Sequence, residues 1–127
     1  ISAAETGHLV LATLHANSAT QTVERIVDSF PSAQQNQVRQ QFANIITGVV
    51  AQRLLPRLDG KGRIAAYEVL VGTPPIQALI RENKAHQIAS VLETASNAGM
   101  ITLQRSLEML CEKGLISPKD VENYGAI

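Results

Sequence analysis

The chain has 127 residues, 45% of them hydrophobic and 17% charged, which is enough for one domain with a proper core and excludes both a disordered and a membrane-spanning class. Eleven basic and eleven acidic side chains balance, so no global field argues for nucleic acid or anionic lipid as the partner, and any charged site must be local. The single cysteine, Cys111, excludes an internal disulfide and a multi-cysteine zinc site; set among Leu107, Met109, Leu110 and Leu115, it reads as a core thiol in a reducing compartment.

The chain opens on Ile1-Ser-Ala-Ala, with neither a methionine nor the basic and then apolar start of a secretory signal, and reads as part of a longer protein. Leu9-Val-Leu-Ala-Thr-Leu14 is an apolar run without alternation, which suits a strand covered on both faces of a parallel sheet. Parallel neighbours need crossover connections, and nothing else here resembles a second such strand, so its partners are expected upstream of Ile1. Ser18-Ala-Thr-Gln21 is a capping box, followed by Val23, Ile26, Val27 and Phe30 at helical spacing up to Pro31. Ser32-Ala-Gln-Gln35 repeats the capping pattern ahead of a second helix striped by Val38, Phe42, Ile45, Ile46 and Val49, whose far end is ambiguous.

From Val50 the reading changes to a hairpin. Val50–Leu55 and Arg63–Val71 flank Asp59-Gly-Lys-Gly62, a turn composition that joins antiparallel strands. Thr73-Pro74 then starts a helix with Ile76, Leu79 and Ile80 on one face, and Ile88, Val91, Leu92 and Ala95 continue the pattern to Asn97-Ala-Gly99. Thr102 opens a helix through Leu103, Leu107 and Leu110 to Gly114, and Ser117-Pro118 caps a last one carrying Val121 and Tyr124. The shift near Gly72 divides an α/β part, residues 1–72, from an all-helical tail, residues 73–127.

His8 and His15 bracket the first apolar run. On a strand they would point to opposite faces and stand roughly 23 Å apart at about 3.3 Å per residue, too far to share a metal ion. His15 falls at the carboxyl end, where open α/β sheets collect ligands, and Asn17-Ser18 beside it begins a helix whose free amides favour an anion. His15 reads either as a functional residue or as a satisfied structural one; His8, after a glycine at the strand entrance, reads more simply as a hydrogen-bonded edge residue.

The segment Ala3-Ala-Glu-Thr-Gly-His8 through Thr13-Leu-His-Ala16 resembles the His box of the type II/IV secretion ATPases, the motors of type IV pili and type II secretion. Gly99-Met-Ile-Thr-Leu103 is similar to a later glycine-methionine segment of that family, and the resemblance covers the whole chain. Within the tail, Pro75-Ile-Gln-Ala-Leu-Ile-Arg-Glu82 resembles the retraction motors' signature AIRNLIRE, with Gln77 in place of its arginine and Ala78 in place of its asparagine. Extension and secretion ATPases often carry a tetracysteine zinc insert, and its lack here also favours the type IV pilus retraction ATPases of twitching motility.

The resemblance implies the later part of a RecA-like P-loop ATPase domain, with a core strand, helices and a β-hairpin, followed by an all-helical tail. It implies a homohexameric, ATP-hydrolysing ring that uses ATP and Mg2+ in the intact protein and works with inner-membrane pilus machinery. The ring would sit peripherally at the cytoplasmic face, without membrane insertion or nucleic acid. In such motors the His box lies near the γ-phosphate, which makes His15, and more weakly His8, a sensor of phosphate loss rather than a general base. Arg25 and Arg53 read either as intramolecular or surface ion-pair partners or as arginines reaching phosphate across a subunit boundary. Arg81 and Glu82 read either as a solvated helix-end pair or, through the signature, as a coupling or partner surface. Glu5 is an exposed loop carboxylate or a neighbour of the nucleotide.

The stretch G-x-x-x-x-G-K-[ST] that cradles phosphates is not in this sequence, and Asp59-Gly-Lys-Gly62 lacks both the upstream glycine and the hydroxyl after lysine. The chain alone is therefore expected neither to bind nor to hydrolyse ATP, nor to hold a metal. Three classes remain open at this point: the later part of a motor for retraction or, alternatively, for pilus extension or type II secretion; a non-catalytic helical partner-binding module; and a DNA-handling RecA-like module, against which the zero net charge weighs.

Overall fold

The computed structural model describes residues 1–125 of the protein, so the last two positions of the 73–127 tail lie outside the described residues. Its elements run α1 (Ser2–Glu5), α2 (Ala19–Asp28), α3 (Ser32–Ile45), β1 (Gly48–Pro56), β2 (Arg63–Val71), α4 (Pro74–Arg81), α5 (Ile88–Thr94), α6 (Leu103–Glu112) and α7 (Pro118–Gly125), with short 3-10 turns on either side of α5. The mixed α/β class, the hairpin and the helical tail all match the reading of the sequence.

The strand expected at Leu9–Leu14 is absent: residues 8–16 carry neither helix nor strand. Leu9 and Leu11 are 83% and 89% exposed. The reason is the one that made a lone parallel strand untenable, since a strand exists only by exchanging hydrogen bonds with a neighbour. Among the described residues β1 and β2 pair with each other in a two-stranded sheet, and the His-box segment joins neither. The strand geometry that separated His8 from His15 therefore does not apply to this chain. A second correction concerns Ser32, which is the first residue of α3 and not its cap; Pro31 occupies the cap position without a side-chain bond, and Gln35 Nε2 instead donates to Phe30 O at 3.1 Å.

The hairpin is antiparallel, in a register that pairs Gly48 with Val71 and Pro56 with Arg63. Its loop shows how Asp59-Gly-Lys-Gly62 makes the turn. Gly60 and Gly62 take φ of 72° and 94°, a left-handed region that side chains disfavour. Asp59 Oδ1 accepts from Lys61 N at 2.8 Å, and Asp59 Oδ2 pairs with Arg57 Nη2 at 2.9 Å. The Arg57 hydrogen bond, then the Lys61 amide, hold the Asp59 carboxyl below its ordinary 3.8. A lowered pKa means that the contribution of these bonds is present above the unfolded value and lost as pH falls through the folded one. The Lys61 amide resonance is thus expected to titrate with a midpoint below 3.8; an NMR titration with a midpoint at or above that value would remove the interaction.

One face of the hairpin points inward, because alternate residues of each strand are covered. At its open end Leu70 joins Ala19, Val23, Phe42, Ala43, Ile46, Ile76, Ile80, Ile88, Leu92 and Met100 in the larger core, which draws on both sides of Gly72. Near its loop Leu55 and Ala66 pack with Leu107 and Ile116 of the α6–α7 region, with Cys111 partly buried against them. Fully covering each large aliphatic side chain contributes roughly 1.5–3 kcal/mol, so these two clusters dominate the stability. β2 is clamped along its other edge as well. Tyr67 N donates to the buried Ser106 Oγ at 3.0 Å, and Val69 exchanges bonds of 2.9 and 3.2 Å with Ile101.

Candidate functional site

The site is built around the entry to α2. Ser18 Oγ accepts from Gln21 N at 3.1 Å, as the capping box requires, and Gln21 Oε1 accepts in return from Asn17 N at 2.6 Å. The return bond thus falls one residue before the cap, which draws Asn17 as well as Ser18 into the first turn. Ala19, the first helical residue, is fully buried, and its N–H donates to Glu68 Oε1 of β2 at 2.8 Å. A carboxylate at a helix N-terminus satisfies an otherwise orphaned donor and meets the positive end of the helix dipole.

His15 precedes this turn directly and is exposed, with no ring hydrogen bond among the described residues. His8 is tied locally. With its proton on Nδ1 the ring donates to Ala3 O at 3.2 Å, while Thr6 Oγ1 donates to the same carbonyl at 2.9 Å. Glu5, the last residue of α1, is exposed.

Arg25 is exposed in the last turn of α2. Arg53 lies on the inner face of β1 between Ala51 and Leu55 and opposite Ala66; its Nε is buried without a hydrogen-bond partner among the described residues. An orphaned buried donor costs about 1–3 kcal/mol, and an acceptor brought to it would recover that. Arg81 ends α4 and Glu82 caps it. Arg81 Nη2 donates to Asn44 Oδ1 of α3 at 2.9 Å, and Glu82 pairs with Lys84 at 3.5 Å, both on the surface. The structure thus joins Asn17, Ser18 and Glu68 at the entry to α2, with His15 two residues before Asn17 in the chain, and leaves Arg81 and Glu82 on the α3–α4 side.

Glu68 was missed by the sequence reading. The signal was present: in Ile64-Ala-Ala-Tyr-Glu-Val-Leu70 the period of two places Glu68 on the same face as Ile64, Ala66 and Leu70, a carboxylate among apolar neighbours that needs a partner. Among the described residues no group of three His, Cys, Asp or Glu side chains is arranged to hold a metal ion. A groove of about 230 Å3 between α5 and α6, lined by Leu92, Met100, Thr102, Arg105 and Met109, contains no His-box residue.

A helical entry held by a strand carboxylate, with an exposed histidine before it, thus lies in a mixed α/β chain that is similar to known proteins along its whole length. The crystal structure of the pilus retraction motor PilT with bound ADP matches 97% of this chain and 34% of its own, at 45% identity and a TM-score of 0.84. The profile of the type II/IV secretion system proteins matches residues 1–122, and the chain belongs to that family. A twitching motility protein of Neisseria gonorrhoeae is 48% identical over 119 residues, which are 94% of this chain and 32% of the relative. The type IV pilus retraction ATPase PilT of Pseudomonas aeruginosa is 42% identical over 127 residues, all of this chain and 37% of the relative. The chain therefore spans about a third of the length of the curated relatives it matches.

Proposed function

We propose that this chain is the later part of an ATP-hydrolysing motor that powers type IV pilus retraction. The observation that carries the reading is the match of 97% of the chain to a pilus retraction motor at 45% identity, over the His box, the hairpin and the tail together. In the intact protein, residues 1–72 would complete the ATPase core and residues 73–127 the helical end, functional divisions that share one packed core in this chain. The ring would be a homohexamer at the cytoplasmic face of the inner membrane; no described helix is long and apolar enough to cross a membrane.

His15 would face the γ-phosphate of ATP held by the rest of the protein. An imidazole that changes hydrogen-bond partner when phosphate leaves couples nucleotide state to the position of α2. The exposed Leu9–Leu14 run would become a strand against neighbours supplied by the intact sheet, which would also cover its leucines. Arg25 and Arg53 would serve phosphate or a subunit boundary, Arg53 through the donor that lacks a partner in this chain. Arg81 and Glu82 would couple the motor to a partner, with Arg81 also bracing α4 on α3.

Calorimetric titration with ATP and magnesium tests the division of labour. The intact protein should bind and hydrolyse ATP. The 127-residue chain, without a phosphate cradle, should give no binding at micromolar concentrations and no turnover above buffer. Micromolar affinity in the isolated chain would show that the nucleotide site lies within it and contradict the reading.

A further inference from the structure

We infer that Glu68 is a positioning residue for the His box, an inference that rests on the phosphate-facing role proposed for His15. The bonds among Asn17, Ser18 and Gln21 fix the shape of the turn, but all their partners ride on the turn itself. Glu68 Oε1 to Ala19 N, at 2.8 Å across 49 positions of sequence, is the side-chain hydrogen bond that joins this turn to the hairpin among the described residues. Ala19 is 0% exposed, so with Glu68 in place its N–H has no bulk solvent to turn to, and the carboxylate is its acceptor.

The other end of the tether is rigid. Glu68 stands opposite Ala51 in the ladder, and its neighbours Tyr67 and Val69 are fixed by Ser106 and Ile101 on the far edge of β2. A group held on a clamped strand places its partner more closely than one on a loop. His15 lies just before the capped turn, so the height of α2's first amide above the hairpin sets where the imidazole is presented. Misplacement of a catalytic group by about 1 Å is enough for large rate losses.

Two variants of the intact protein separate positioning from simple stabilisation. Glu68→Gln keeps an oxygen at the same reach and is expected to retain kcat within about threefold of the parent. Glu68→Asp keeps the charge but withdraws the oxygen by about one bond length; it should lower kcat about tenfold while the KM for ATP stays within about threefold. Hydrogen exchange at residues 15–20 should quicken in Glu68→Asp and not in Glu68→Gln, with residues 25–28 unchanged in both. Parental kcat in Glu68→Asp, equal losses in both variants, or unchanged exchange at residues 15–20 would overturn the inference; should Glu68→Asp fail to fold, parental kcat and exchange in Glu68→Gln sustain it and their loss overturns it. A parent that does not hydrolyse ATP would defeat the proposed function instead, and the exchange comparison would still decide whether Glu68 holds the turn.

Discussion

Gly72→Ala is expected to destabilise the 127-residue chain by about 2–3 kcal/mol, at the upper end of what overpacking costs, and to lower its melting temperature by roughly 6–15 °C. Gly72 follows β2 and lies against the junction of α3 and β1, where its N–H donates to Thr47 O at 2.9 Å. A β-carbon built there runs into the carbonyl oxygen of Ile46, with the carbonyl carbon at 2.9 Å and Ile46 Cγ2 at 3.1 Å. The obstacle is chiefly backbone, which cannot rotate aside as a side chain would. Ile46 is itself 7% exposed within the larger core, so a shift would propagate into Phe42 and Leu70. The cost is one of space and not of conformation, because Gly72 is not among the glycines with positive φ. Gly114 makes the contrast: its φ is 72° and nothing lies within 4 Å of an added β-carbon, so alanine there would report backbone strain alone. Matched thermal unfolding of the variants checks this, and a Gly72→Ala chain that melts with the parent would mean that the junction has room.

His15→Ala should have the opposite character, costing function while sparing the fold. In this chain the imidazole is exposed and carries no hydrogen bond among the described residues, so its removal should change stability by no more than about 0.5 kcal/mol, as at other exposed positions. In the intact protein the same change should lower ATP turnover about tenfold, the equivalent of about 1.4 kcal/mol of transition-state stabilisation. His8→Ala should do less to turnover, because the His8 ring is already engaged by Ala3 O beside Thr6, and should instead loosen the end of α1. Melting curves on the chain and ATPase rates on the intact protein decide between the two histidines. Full turnover in His15→Ala together with a lower melting temperature would assign the residue to packing.

The elements legible in the sequence were those whose causes are local. Ser18 and Thr102 accept from the amides three residues on, Gly60 and Gly62 supply the left-handed turn, and Ile76 and Ile80 recur at helical spacing on a buried face. The misreadings have one distant cause and one next door. Leu9–Leu14 has the composition of a buried strand, but composition cannot form a ladder without a neighbour. Ser32 has the cap pattern, yet Pro31, with its fixed φ, takes the cap position instead. In the site, His15 and the Asn17–Ser18 turn were visible as motif and cap. Glu68 was overlooked because its partner is an amide 49 positions away, and only the inward face of β2 betrays that a carboxylate there must be satisfied. In the sequence Arg53 reads as an intramolecular or surface ion-pair partner or as a boundary arginine; its inward place between Ala51 and Leu55 follows from the same strand period.

The most direct test of the retraction assignment is a count of surface pili on cells that lack the intact protein, taken together with their twitching. A retraction motor withdraws filaments that another activity extends, so its loss should leave more pili on the surface than in the parent and abolish twitching. Cells without pili would contradict the account and place the chain in an extension motor, and unchanged piliation with normal twitching would remove it from pilus dynamics altogether.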